Sequence, residues 1–313
     1  MSKEKYQIFF EQHQHQLPLF IHPWYLDAVC TDGIWDAAVV EEKGEILAVL
    51  AYFRKWKYGF HYITMPPFVK FMGPFFAGNP TLTEQHDLLE KLIAQLPKVA
   101  AFTQNFYYNI TNWLPFYWNG FQQTTRYSYR LDISDLDQVY NNIHRKRRRY
   151  IEKAEEQGLK TIISNDIELF YTVNKKSFDR QKMKIPYTLH QLKQHDTALA
   201  AHNAREIFFA QDAEGRTHSV VYLIWDAQSS YFHIAGDDPE WRNSGAGILL
   251  IWEVIRFTKE KLGLERFDFE GSMIQNVEYI RRQFGATQVP YFTVWKYHSV
   301  WFEFFRQLRR LYK

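Results

Sequence analysis

Two stretches of this chain repeat the same rhythm of strands and turns, and they limit the folds open to it. In the first half, residues 36–41, 46–53 and 60–63 read as strands, with Lys43-Gly44 as the first turn. In the second half, residues 206–211, 219–225 and 231–235 follow suit around Glu214-Gly215. The offset from Gly44 to Phe60 equals that from Gly215 to Tyr231, and helical sequence precedes each meander. A repeat of this kind points to an internal duplication, with coincidence as the rival reading, because the two copies share no visible identity.

At 313 residues the chain holds one large or two ordinary domains. Leu131-Asp132-Ile133-Ser134-Asp135 looks like a strand end passing into a helix cap, Ser134 and Asp137 resembling a capping box. The helix is expected to run to Gln157 and stop at Gly158. This places a boundary near Ser134 and gives domains of residues 1–133 and 134–313. In the second, helices over 248–261 and 276–284 alternate with strands over 266–269 and 291–297, before a last helical segment, 299–313. Such alternation implies an α/β layout with at least one parallel pair, splayed around the loop that precedes residue 248.

That loop is Trp241-Arg242-Asn243-Ser244-Gly245-Ala246-Gly247. A glycine-rich turn opening a helix leaves backbone N–H groups aimed at one point, an arrangement suited to a phosphate or pyrophosphate. Tight packing is the other reading of Gly-x-Gly, and Asp237 and Asp238 would repel a phosphate if they pointed the same way.

Three further constellations carry possible chemistry. Arg145-Lys146-Arg147-Arg148-Arg149 lies inside the expected helix, with Arg147 on the apolar side between Ile143 and Ile151. It is either a solvated face balanced by Glu152, Glu155 and Glu156, or a cationic wall for a nucleotide-linked or tRNA-linked substrate. A later cluster, Lys175, Lys176, Arg180, Lys182 and Lys184, reads as loop or frayed helix ahead of Pro186. In Phe267-Asp268-Phe269-Glu270-Gly271-Ser272, two carboxylates sit at a strand's end beside a glycine turn. If they approach, one pKa should rise toward that of a general base; otherwise they cap the turn or pair with arginine. His233, on an inner strand, reads as a core histidine or, within a site, as a substrate contact.

Composition excludes more than it names. The lone Cys30 rules out an internal disulfide framework and any cysteine-based zinc site. His13-Gln14-His15 lacks companion ligands at metal spacing, so no metal is expected. No nucleophile elbow or Walker lysine is present, which argues against simple hydrolases and NTPases. The N-terminus lacks a signal-peptide layout and no apolar run is long enough for a bilayer, so a cytoplasmic setting is expected. The last segment places Trp301, Phe304, Phe305, Leu308 and Leu311 on one face, with Arg306, Arg309, Arg310 and Lys313 elsewhere. Such a helix packs on its own protein or lies on an anionic membrane.

Taken together these residues resemble the Gcn5-related N-acetyltransferase (GNAT) superfamily, and most closely its tandem FemABX-like branch, which includes peptidoglycan bridge-forming aminoacyltransferases. The likeness rests on Arg242-x-x-Gly245-x-Gly247, on Phe267 to Ser272, and on Phe284-Gly285-Ala286. Upstream, Arg147-Arg148-x-Tyr150-Ile151-x-x-Ala154-x-x-x-Gly158-Leu159 is similar to the helix opening the second Fem domain. The resemblance implies an α/β (α+β) fold of two tandem GNAT-like domains, each a mixed, mostly antiparallel sheet flanked by helices.

It also implies N-acyl transfer from acyl-CoA or aminoacyl-tRNA as co-substrate, with no permanently bound cofactor, to a small or lipid-linked amine such as a cell-envelope precursor. Arg242, Asn243, Ser244, Gly245, Ala246 and Gly247 would hold the donor. Glu270 or Asp268 would take the ammonium proton, and Arg145, Lys146, Arg147, Arg148 and His233 would contact substrate. Many GNAT enzymes carry a late-helix tyrosine as general acid; here Phe284 ends that helix, and Tyr279, nearer its start, is the candidate for that role. The first half has no glycine-rich loop and is expected to shape the acceptor site. A degenerate, non-catalytic binding protein of the same fold is the alternative from another class.

Overall fold

Each half of the chain lays down the same run of elements in the computed structural model, which describes residues 2–57 and 59–311. The first run is α1 (Ser2–His13), α2 (Pro23–Val29), β1 (Ile34–Glu42), β2 (Glu45–Lys57), β3 (Phe60–Thr64) and the short β4 (Gly73–Phe76). It continues through α3 (Leu82–Ala94), β5 (Ala101–Asn105), α4 (Leu114–Trp118) and β6 (Gln122–Asp132). Then α5 (Leu136–Asn142), α6 (Arg145–Glu156) and β7 (Lys160–Ile163) lead into the second run. That run is α7 (Ile167–Arg180), α8 (Leu189–Ala201), β8 (Arg205–Gln211), β9 (Thr217–Trp225) and β10 (Ser230–Asp237). It closes with α9 (Ala246–Glu260), β11 (Arg266–Asp268), α10 (Gln275–Gln283), β12 (Thr287–Tyr297) and α11 (Val300–Leu311).

Packing divides the chain into two units, Met1–Arg126 with Pro290–Lys313, and Tyr127–Val289. In the first, β1, β2 and β3 form an antiparallel meander, β3 meets β5 in parallel at Tyr62↔Ala101, and β12 runs antiparallel to β5. In the second, β7 to β10 are antiparallel, β10 meets β11 in parallel, and β6 runs antiparallel to β11. Each sheet is therefore closed by the last strand of the other repeat. This is why β6 and β12 pass from one unit to the other.

Local chemistry explains the turns and helix starts. Lys43 and Gly44 both take positive φ, 52° and 86°, as a tight hairpin with right-twisted strands needs. At the equivalent turn Asp212 Oδ1 accepts the N–H groups of Glu214 and Arg216. Helix α3 starts on a full capping box between Thr81 and Glu84. The first core joins Leu88, Leu89 and Leu92 of α3 to Val40, Leu50, Phe102 and Val294. The second joins Leu249, Leu250 and Val254 of α9 to Phe208, Val221, Phe267, Ile151 and Ala154. Each such fully buried aliphatic side chain stabilises by roughly 1.5–3 kcal/mol.

Three local expectations are corrected. The single helix after Ser134 is two helices, because Ile143 (φ −61°, ψ 129°) and His144 (φ −54°, ψ 133°) are extended. Ile143 drops into the core there, and His144 N donates to Gln283 O at 2.8 Å. The cap of α5 is Asp135, which accepts from Gln138 N, rather than Ser134. Lys175, Lys176 and Arg180 belong to α7, a regular helix capped by Asp166 and anchored by Phe170 and Val173; it ends well before Pro186. Gly158, in contrast, does end α6, with φ +73°. Among the described residues no helix is long and apolar enough to cross a membrane. Lys313 and the side chains of Arg306, Arg309, Arg310 and Leu311 lie outside the described residues.

Candidate active site

Strands β10 and β11 pair only at Ser230↔Phe267 and Tyr231↔Asp268, after which β10 continues and β11 stops. The backbone is reshaped on both sides of this parting. On β10 the register against β9 slips between Phe232 and Ile234, leaving His233 as the extra residue of a bulge. After β11, Glu270 takes φ +56° and Gly271 φ +62°. A non-glycine residue held there carries strain of about 1–2 kcal/mol. Gly271 admits no side chain, since a Cβ would stand 2.0 Å from Tyr127 O.

The two distortions bring His233 Nδ1 within 2.7 Å of Glu270 Oε1. Both side chains are largely withdrawn from solvent, 4% and 11% exposed. Behind Glu270, Asp268 is fully buried and accepts from Ser128 Oγ (2.6 Å) and Glu270 N (2.7 Å) through one oxygen. Burial pushes the Asp268 carboxyl up to about 6; the Glu270 charge adds to this, and the bonds from Ser128 and Glu270 N together with the Arg130 charge oppose it. Behind His233, the ring of His195 lies 5.2 Å away and is fully buried. Burial first, and His233 second, hold the His195 pKa well below the ordinary range, so it is a neutral imidazole at neutral pH. The line continues through Tyr222, whose hydroxyl donates to Asp196, which in turn pairs with Arg205 at 2.9 Å.

At the start of α9, both glycines meet other parts of the chain. Gly245 has φ +91°, and a Cβ on it would lie 2.2 Å from Tyr150 O of α6. A Cβ on Gly247 would lie 2.5 Å from Asp237 Oδ1, an oxygen that also accepts from Ser219 Oγ. Burial raises the Asp237 pKa, against Ser219, Arg180 and Arg242. Asp238 turns elsewhere, to Lys176 Nζ at 2.6 Å. Ser244 Oγ accepts from Ala246 N at 3.3 Å, and Asn243 O accepts from Lys153 Nζ at 2.8 Å. Trp241 stacks on His218 at 4.8 Å and lies under Arg216. Arg242 and Asn243 are exposed.

The basic run forms the first turns of α6, where the helix dipole disfavours cations and no acidic residue stands in the first turn. Arg145, Lys146 and Arg149 are exposed; Arg148 lies over Tyr140 at 6.0 Å. Arg147 is half-buried, donates from Nε to Gln283 Oε1 at 2.5 Å, and sits 5.8 Å from both the Tyr150 and Tyr279 rings. Burial lowers its pKa. No ion pair with Glu152, Glu155 or Glu156 is found among the described residues. Tyr279 is 44% exposed and lies between Arg147 and Arg282; among the described residues no contact joins it to Asp268 or Glu270.

Sequence reasoning thus singled out Asp268 with Glu270 and, apart from them, His233, and the fold joins all three. Ser128, His195 and the bulge were missed. Ser128 lies 140 residues from its partner, and His195 is one polar residue on a helix, so neither leaves a local signal.

Residues 138–281 match the family model described as acetyltransferase (GNAT) domain. Among solved structures the chain is similar to FemX, with a TM-score of 0.69 and 14% identity over 93% of this chain and 96% of that one. It is also similar to L-PGS from Bacillus licheniformis (TM-score 0.59, 10% identity, 94% and 92% covered). A tandem GNAT protein from the clavulanic acid biosynthesis pathway gives a TM-score of 0.56 at 10% identity, with 94% of each chain covered. No curated protein matches the chain.

Proposed function

We propose that this chain, which carries a GNAT acetyltransferase domain over residues 138–281 within a tandem GNAT fold, transfers an acyl or aminoacyl group to a primary amine. The observation that carries the reading is the His233–Glu270 pair, set where β10 and β11 part. A buried carboxylate bonded to an imidazole is suited to take a proton from an attacking ammonium. The freed nitrogen lone pair attacks the acyl carbonyl carbon, the C–N bond forms, and the bond to the leaving oxygen or sulfur breaks. Glu270 passes its proton to solvent, and the leaving group collects the second proton, shed by the nitrogen as the amide forms. Asp268 and Ser128 act as positioning residues, fixing the backbone of Glu270. Tyr279 is left out of the proton path, because it stands between two guanidinium groups on an exposed helix face.

An aminoacyl-tRNA is the donor we favour. The cations at the start of α6, which make no ion pair among the described residues, with Arg281 and the Glu278-paired Arg282 in the last turn of α10, suit a phosphodiester backbone. The chain's own carboxyl against Gly247 makes that helix start less hospitable to a pyrophosphate. Acyl-CoA is the second reading, supported by the exposed Arg242 beside a helix start that has no side-chain cap. A cell-envelope precursor amine as acceptor rests on the FemABX-like resemblance.

Binding of bulk aminoacyl-tRNA and of acetyl-CoA, followed by transfer of a labelled acyl group to amine acceptors, separates these readings. The favoured one expects tRNA binding that falls steeply with salt and weakens in R145E/R148E, without acetyl-CoA binding at millimolar concentration. Micromolar acetyl-CoA binding and no tRNA binding would reverse the donor assignment. Transfer that survives Glu270→Gln at full rate would remove Glu270 from the chemistry. Binding with no transfer to any amine would leave the non-catalytic alternative.

A further inference from the structure

The last helix of the first unit leaves an apolar face uncovered. On α11, Val300, Trp301, Phe304 and Phe305 are 81%, 68%, 49% and 47% exposed. Their spacing at i, i+1, i+4 and i+5 puts them on one stripe of the helix. The other side of the helix is anchored: Phe302 packs on Phe60 at 5.8 Å and on Tyr62 at 5.2 Å. Phe302 and Phe305 share a cleft of about 200 Å³ with Lys57, Phe60 and Tyr62. The β2–β3 hairpin beside it exposes Trp56, at 61%. Exposed aromatic and aliphatic side chains gathered in this way mark an interaction surface.

The charge of the segment selects the partner. Residues 300–313 contain Arg306, Arg309, Arg310 and Lys313 against the single acidic Glu303. A second copy docking through this face would bring two such basic segments together. A surface of anionic lipid headgroups would attract them, while the aromatic stripe enters the headgroup and acyl boundary. We propose that α11 and the β2–β3 hairpin are a docking surface for an anionic lipid bilayer, on which the protein lies without spanning it. This surface belongs to the first unit and does not depend on the transferase reading.

Co-sedimentation of the full chain with vesicles tests it, using phosphatidylcholine alone and phosphatidylcholine mixed with phosphatidylglycerol. Binding is expected to the mixed vesicles, to weaken with salt, and to fall at least about tenfold on neutral vesicles. W301E/F304E is expected to lose at least about tenfold in vesicle affinity with an unchanged melting temperature. Should that variant melt lower, R309E/R310E decides, losing binding to mixed vesicles while keeping the aromatic stripe. Failure to bind either vesicle, or wild-type binding by a well-folded W301E/F304E or by R309E/R310E, overturns the proposal. So does a dimer in sedimentation equilibrium that W301E/F304E dissociates.

Discussion

In the first repeat β3 pairs with β2 without a slip in register, whereas in the second β10 bulges at His233. Strand β5 ends in amides: Gln104 donates to Ala51 O and Asn105 to Lys70 O. Strand β11 leads instead into the carboxyls of Asp268 and Glu270. The helix after each meander differs too. Thr81 and Glu84 cap α3 reciprocally, while α9 begins on Gly245 with no side-chain cap. The elements and their pairings are shared, but the first repeat turns these polar groups onto its own backbone. The second holds ionisable groups together out of water, at the price of backbone strain at Glu270. A duplicated scaffold therefore predicts where a site can form, and only the residues at the strand end and bulge determine whether chemistry follows.

The largest test of that contrast is chemical. Glu270→Gln is expected to reduce acyl transfer by roughly 10²–10⁴-fold, and His233→Asn to reduce it in the same direction. Glu84→Gln, at the corresponding helix of the first repeat, should leave the rate unchanged. Equal rates for Glu270→Gln and wild type would break the contrast.

Glycine substitutions come next. Gly245→Ala meets a carbonyl oxygen at 2.2 Å and a positive φ, so a loss of roughly 3–5 kcal/mol in denaturant unfolding is expected. Gly78→Ala in the first repeat has positive φ but open space, and should lose only about 1–2 kcal/mol. If the two lose equally, close packing of α9 on α6 is not what requires Gly245.

A pH series sharpens the comparison further. Asp268 is raised from 3.8 to about 6 in the folded protein, so between these values the folded state holds the extra proton. Stability should therefore fall as pH climbs from about 4 to about 6, by up to roughly 3 kcal/mol. His195, whose folded pKa is lowered, contributes the opposite slope below pH 6.5. Asp268→Asn removes the first contribution and keeps the second, so its unfolding free energy should rise with pH where the wild type's rises less or falls. Parallel curves would contradict the assignment. The smallest effects are at the helix starts: loss of the Thr81 cap in Thr81→Ala should cost about 1 kcal/mol in thermal unfolding, and Ser244→Ala, which removes one long turn contact and no cap, less.

Much of this was legible residue by residue. The two meanders could be read from alternation and glycine turns, and both were found at nearly the expected bounds. Gly245 stands at a helix start, and Arg147 faces inward as its spacing between Ile143 and Ile151 implied. The helix break at Ile143-His144 was not legible, because the local pattern favours one continuous helix. The break depends on Gln283, distant in sequence, accepting the His144 N–H.

By itself the amino-acid sequence determined what is periodic and near in the chain: strand and helix type, the glycine turns, and two carboxyls at one strand end. Such features depend on interactions within a few residues and are written into residue order. Tertiary structure alone decided that β6 and β12 close each other's sheets, that His233 bulges toward Glu270, and that Ser128 and His195 stand behind that pair. The closing strands, the bulge and Ser128 follow from register between strands far apart in the chain, and His195 from the packing of α8 against Tyr222. A shift of one residue in β6 would turn Ser128 to the opposite face.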